Sequence, residues 1–175
     1  MPQHVVLTAI GADRPGLVEE VSEFVLERGG SIEDSRMANL RGQFAIMMLV
    51  AGTQETIETL TADLAALGSR SALHAQLTPA LGRAEMGSPR LPFRLTGHAL
   101  DQPGLVHEIA NLLHGFDVNI ESLGTTLEAA PVTGAPVFSM DLLIAVASET
   151  PLVKLREELA RVCDSLNIDW QLQPL

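Results

Sequence analysis

Asp13-Arg14-Pro15-Gly16-Leu17-Val18 returns 88 residues later, from position 13 to position 101, as Asp101-Gln102-Pro103-Gly104-Leu105-Val106. The same offset carries Leu7-Thr8 onto Leu95-Thr96 and Ile32-Glu33 onto Ile120-Glu121. Behind the turn, Leu17, Val18, Val21, Phe24 and Val25 fall on Leu105, Val106, Ile109, Leu112 and Leu113. A spacing of i, i+1, i+4, i+7 and i+8 is one face of an α-helix. A turn and the helix face behind it, repeating together, mark an internal duplication.

Past the first helix the offset grows. Phe44, Ile46, Met48 and Val50 alternate along a strand, as do Phe138, Met140, Leu142 and Ile144. The extra residues fall within Glu128 to Pro136, a turn-rich stretch where a hairpin lengthens at little entropic cost. The equivalent hairpin of the first copy is short, near Arg41-Gly42. A second helix is expected on Ile57, Leu60, Leu64 and Leu67, and its counterpart on Leu152, Leu155, Leu159 and Val162. Each copy closes on a short strand, Leu77-Thr78-Pro79 and Leu172-Gln173-Pro174.

Each copy thus reads strand, helix, strand, strand, helix, strand. The expected fold is α+β: two ferredoxin-like βαββαβ modules, each a four-stranded antiparallel sheet with two helices on one face. The expected boundaries are 1–78 for the first module, 79–91 for a proline-bearing linker without periodicity, and 92–175 for the second module. Apolar residues on the other face of the sheet, such as Ala45 and Met47, predict that this face is also covered in part, by the other half or by another chain.

Composition narrows the function. Lys and Arg number 11 against 22 Asp and Glu, a formal charge of −11, with no basic cluster and no aromatic-basic interleaving. Such a surface repels phosphate backbones and anionic membranes, so neither direct nucleic-acid binding nor membrane docking is expected. The single cysteine, Cys163, sits at an apolar helical position and reads as a buried core thiol. No leader pattern opens the chain and no apolar run reaches membrane-spanning length, which predicts a cytoplasmic protein.

The repeated turn stands where the first strand hands over to the first helix. Asp13 and Asp101 are expected to cap their helices, with Pro15 and Pro103 in the first helical turn. Gly16 and Gly104 leave the terminus uncovered, and the N–H groups near Gly16, Leu17 and Val18 carry partial positive charge suited to a carboxylate. Glycine inside a first helical turn costs about 1 kcal/mol relative to alanine, which suggests that ligand access keeps it there.

The element order, with Asp-x-Pro-Gly-Leu-Val opening the first helix of both copies, resembles the ACT domain, a small amino-acid-sensing regulatory module. The resemblance covers nearly all of the chain outside the linker. It implies an effector such as glycine or serine, held between two modules by the turn of one and the start of the second strand of its neighbour. The turn residues would be Asp13, Arg14, Gly16, Leu17 and Val18, with Asp101, Gln102, Gly104, Leu105 and Val106 in the second copy. The strand side would be Ser31 and Ile32, or Asn119 and Ile120. Asn119 is the better polar group, because its amide can orient an amine or a carboxylate, and the first copy has Ser31 instead.

No catalytic motif is present: there is no Gly-x-Ser-x-Gly, His-Glu-x-x-His or P-loop pattern. Glu19, Glu20, Glu23 and Glu27 read as the solvated face of the first helix. His98 and His107 lie on either side of the second turn, but two histidines without a third ligand do not define a metal site. No catalytic residue, metal or cofactor is therefore expected. The chain reads as a non-enzymatic regulator that senses a small amino acid and acts on a DNA-binding transcriptional activator. The alternative is a regulatory subunit acting in trans on a metabolic enzyme. Exposed edges of such sheets invite pairing, so a homodimer is an open expectation.

Overall fold

Leu7 and Leu95, the repeat-related residues at the centres of their first strands, have no exposed surface at all. Around each, the same architecture has formed twice. The computed structural model describes residues 2–80, 89–130 and 134–175. The chain divides into two units, Met1–Met86 and Gly87–Leu175. The first contains β1 (Gln3–Ala12), α1 (Leu17–Glu27), β2 (Ser31–Leu40), β3 (Gln43–Gly52), α2 (Gln54–Ser71) and β4 (His74–Pro79). The second contains β5 (Arg90–Leu100), α3 (Leu105–Gly115), β6 (Asn119–Ala129), β7 (Pro136–Ala147), α4 (Leu152–Ser165) and β8 (Asp169–Pro174).

The sheets run β2-β3-β1-β4 and β6-β7-β5-β8, with every neighbouring pair antiparallel. In both, the first strand of the module is central and the second lies at an edge. Period-2 alternation follows directly. Val5, Leu7, Phe44, Ile46, Met48 and Val50 point to the helix side, where Leu17, Val21, Phe24, Leu60 and Leu67 close the first core. Phe93, Leu95, Met140, Leu142 and Ile144 meet Leu105, Ile109, Leu113, Leu155, Leu159 and Cys163 in the second. Each fully buried leucine is worth about 1.5–3 kcal/mol of transfer free energy, so these layers hold the modules together. Cys163 is wholly buried, and burial pushes its thiol up to about 11.

The hairpins differ as the repeat offsets imply. β2 passes to β3 through Arg41 and Gly42, both at positive φ (51° and 81°), the backbone of a two-residue hairpin turn. Between β6 and β7 the ladder runs one pair further than in the first copy, to Ala129↔Pro136, so the extension is that pair and the longer loop it encloses. Of the expected linker, residues 81–88 lie outside the described residues. Pro79 closes β4, and Arg90 and Leu91 already belong to β5, paired with Ala147 and Val146. The linker expectation rests on composition alone, whereas the strand is set by its ladder.

Candidate functional site

The two repeated turns adopt one backbone. Gly16 and Gly104 are themselves the N-caps of α1 and α3, at φ 93° and 96°, in the left-handed region. Their carbonyls accept the first helical hydrogen bonds, from Glu20 N (2.9 Å) and Glu108 N (3.0 Å). This corrects three expectations. Neither helix has a side-chain cap, so Asp13 and Asp101 do not fill that role. Pro15 and Pro103 precede the cap and do not lie in the first helical turn. Each glycine stands outside the helix at a φ that L side chains rarely adopt, so backbone conformation alone accounts for it. Asp13 instead accepts from the Asn39 amide of β2, and Asn39 Oδ1 accepts from Gly42 N (3.1 Å), tying the turn to the β2–β3 hairpin.

Around this shared backbone the two copies have opposite surroundings. In the first, the Arg14 guanidinium donates to both carboxylate oxygens of Glu20, at 2.6 and 2.8 Å. A Cβ built on Gly16 would lie 3.8 Å from Glu20 Oε1 and 4.0 Å from the guanidinium. The pair holds the Glu20 carboxyl below, and the Arg14 guanidinium above, their ordinary values. In the second copy the position of Arg14 is taken by Gln102, whose amide donates to Leu166 O at the end of α4 (2.7 Å). Among the described residues, its chain neighbours aside, nothing lies within 4 Å of a Cβ built on Gly104.

A cleft of about 660 Å³ runs along the first turn, lined by Asp13, Arg14, Gly16, Val18, Met37 and Phe44 among others. Leu17 and Leu105 are buried core residues, so only their backbone N–H groups can serve a ligand, whereas Val18 and Val106 are exposed. Asp101, Gln102 and Gly104 are exposed around the second turn, and Gly104 borders a groove of about 670 Å³ between α3 and α4. The strand-side residues lie elsewhere. Ser31 pairs with Ala51 and Asn39 with Phe44, so Ser31 and Ile32 sit at the far end of β2 from the turn. At about 3.3 Å per residue, the eight steps from Ser31 to Asn39 span roughly 26 Å. Ser31 lines a separate cleft with Gln3, Gly52 and Gln54. In the second copy Asn119 and Ile120, paired with Ala145 and Ile144, begin β6 in the same way. Neither module brings its own turn and its own strand-side residues together.

Residues 3–78 match the ACT domain family. The first module is an ACT domain. The second repeats its element order, sheet order and glycine cap, and the chain is a tandem of this ferredoxin-like ACT fold. It is similar to the glycine cleavage system transcriptional repressor of Escherichia coli K12, at 26% identity over 94% of this chain and 86% of that protein. Among solved structures it resembles a protein of unknown function from Galdieria sulphuraria, with a TM-score of 0.82 at 25% identity over 100% of this chain and 99% of the other. A crystal structure provisionally assigned as a glycine cleavage system transcriptional repressor shares the fold, with a TM-score of 0.73 at 24% identity over 100% and 98% of the two chains.

Two residues of the first ACT turn lie beyond the reach of sequence reading, Glu20 and Asn39. By periodicity Glu20 belongs to the solvated face of α1. Its partner Arg14 precedes the cap and so has no place in a helical periodicity, which leaves the pair without a signal. Asn39 has none either, since β2 shows no burial period. Among the described residues no three His, Cys, Asp or Glu side chains gather as metal ligands, and His98 Nδ1 lies 2.9 Å from Ser139 Oγ. No helix among them is long and apolar enough to cross a membrane.

Proposed function

We propose that this tandem ACT protein is a non-enzymatic cytoplasmic regulator, which binds a small amino acid of the glycine or serine class and controls a transcription factor by protein–protein contact. The observation that carries this reading is the similarity to the E. coli repressor through both modules, along 94% of the chain. Physical chemistry supports it in two ways. The formal charge of −11 disfavours direct DNA contact, so control of transcription would pass through another protein. The helix N-termini at Gly16 and Gly104 present backbone N–H groups to a carboxylate, and the turn needs a second module's strand to complete a site.

On this reading the two sides of the site divide the work. Backbone at Gly104, Leu105 and Val106 takes the carboxylate, and a strand start bearing Asn119 and Ile120, or Ser31 and Ile32, orients the amine. Asp13 and Asp101 border the cradles and favour a zwitterion over a simple anion. The first cradle holds its own carboxylate, Glu20, against Arg14 and is the weaker of the two.

A thermal-shift panel of the common amino acids at millimolar concentration tests the reading. Glycine or serine should raise the midpoint, since a ligand at 100 times its Kd stabilises the folded state by about 2.7 kcal/mol. Asn119→Ala should reduce that shift more than Ser31→Ala. A flat response to every amino acid would sink the sensor reading.

A further inference from the structure

Contacts between the two helices differ from module to module although the folds do not. In the first, ion pairs bridge α1 and α2: Arg70 Nη2 lies 3.3 Å from Glu23 Oε2, and Arg28 Nε donates to Asp63 Oδ2 at 2.9 Å. The Arg28 guanidinium also covers the Phe24 ring, 4.0 Å from its centroid. Beneath this network Phe24 and Leu67 are 2% and 1% exposed. In the second module the repeat puts Asn111 in place of Glu23, Ser165 in place of Arg70 and Phe116 in place of Arg28. Among the described residues no side-chain hydrogen bond or ion pair joins α3 to α4. Leu112 and Val162, the counterparts of Phe24 and Leu67, are only partly buried, and with Phe116 and Leu166 they line the groove of about 670 Å³. The first module shows that this fold can close its helix layer with ion pairs. The second leaves the same layer open.

Charge and backbone chemistry select the occupant. Of the four charged residues that line the groove, Glu158 and Arg161 pair with each other, the guanidinium donating at 2.7 and 2.9 Å. Glu108 on α3 and Lys154 on α4 have no side-chain partner among the described residues. These two stand toward opposite ends. β5 and β7 run antiparallel, so the helices that follow them do too, and Gln102, just ahead of α3, reaches Leu166 at the end of α4. Lys154, in the first turn of α4, therefore lies toward the end of α3. Seven steps of about 1.5 Å separate Glu108 from Gly115, so the two charges are roughly 10 Å apart along the groove, about two helical turns. α3 and α4 spend their N–H and C=O groups within their own helices, so the groove offers no ladder to an extended peptide. A chain docked there must satisfy its own backbone, which a helix does. A second copy offers the wrong shape, one groove against another, and the same exposed acids, Glu157 and Asp164. An apolar floor between an unpaired acid and an unpaired base fits an amphipathic helix, basic at one end of its apolar stripe and acidic about two turns away.

We propose that the groove between α3 and α4 of the second module docks an amphipathic helix of the protein this chain controls, with its apolar stripe on Leu112, Phe116, Val162 and Leu166 and opposite charges against Glu108 and Lys154. The proposal rests on the reading of this chain as a regulator acting by protein contact. It puts that contact beside the second cradle, since Pro103 and Gly104 border the groove.

The probe is a synthetic peptide of about 15 residues with leucines at i, i+3, i+4 and i+7, flanked by one lysine and one glutamate, titrated with the whole chain and followed by fluorescence anisotropy. It should bind with a dissociation constant below about 1 mM. Asn111→Glu/Ser165→Arg copies the Glu23–Arg70 bridge of the first module. It should keep the far-UV circular dichroism of the wild type and weaken binding at least ~10-fold. Glu108→Lys, on an exposed side chain, should also weaken binding, and should instead favour a peptide whose two flanking residues are both glutamates. This variant decides the matter if the double variant fails to fold. A peptide that does not bind the wild type at about 1 mM overturns the proposal, as does binding that the folded variants leave unchanged. Amino-acid sensing is read separately, by thermal shift without peptide, so a flat panel there and a failed titration here are distinct results.

Discussion

Gly104 shows what one residue decides. At φ 96°, with nothing among the described residues beyond its chain neighbours within 4 Å of the place a Cβ would occupy, a substitution there meets backbone strain and no steric clash. Gly104→Ala should destabilise the second module by about 1–2 kcal/mol, the usual cost of the left-handed region for an L residue. Gly104→Asn should cost less, because asparagine tolerates that region. Urea unfolding followed by Trp170 fluorescence measures both, and equal losses would mean that strain does not set the cost. Valine, the obvious blocking residue, would disturb the cap before it tested binding. Arg14 carries a pH-dependent prediction. Its hydrogen bonds depress the folded-state pKa of Glu20 from the ordinary 4.5, so the stabilisation is full above that value and fades as pH falls through the depressed one. Arg14→Gln, which copies Gln102, should therefore lower the urea midpoint at neutral pH, and the gap to the wild type should close in acid. A gap that persists undiminished in acid would show that Arg14 contributes by packing alone.

At the scale of elements, most of the fold was legible in the sequence and only part of the site. Helix faces such as Leu17, Val21, Phe24 and Val25, and alternating strands such as Phe44 to Val50, are periodic because one side of each is buried, and burial is what periodicity reports. β2 has no such signal. All ten of its residues are exposed at the sheet edge, so its place rests on analogy with the rest of the repeat. The cap is ambiguous for a related reason. Asp-x-Pro-Gly satisfies the frequency rules for both an aspartate cap and a glycine cap, and only the φ of Gly16 and Gly104 tells them apart. Site contacts such as Arg14 to Glu20 and Gln102 to Leu166 depend on where a turn points its side chains. No one-dimensional pattern records that direction. The separation of Ser31 from the turn follows from strand register, which is fixed only once Ser31↔Ala51 and Asn39↔Phe44 are both paired.

For the whole molecule, the consequence of duplication is two separate hydrophobic cores, each with its own equivalent of the same leucine. Trp170 and Cys163 both pack in the second core. Tryptophan fluorescence and thiol labelling therefore report on one module, while far-UV circular dichroism reports on both. Leu7→Ala and Leu95→Ala remove the same buried side chain from equivalent sites, and each should cost about 2–5 kcal/mol in the core it belongs to. Leu95→Ala should lower the denaturant midpoint seen by Trp170 and speed the labelling of Cys163, whose thiol is protected by burial and held near 11. Leu7→Ala should shift the circular-dichroism transition with the Trp170 midpoint unmoved. If Leu7→Ala lowered the Trp170 midpoint as far as Leu95→Ala does, the two cores would be unfolding as a single cooperative unit, and their separation would be structural without being thermodynamic.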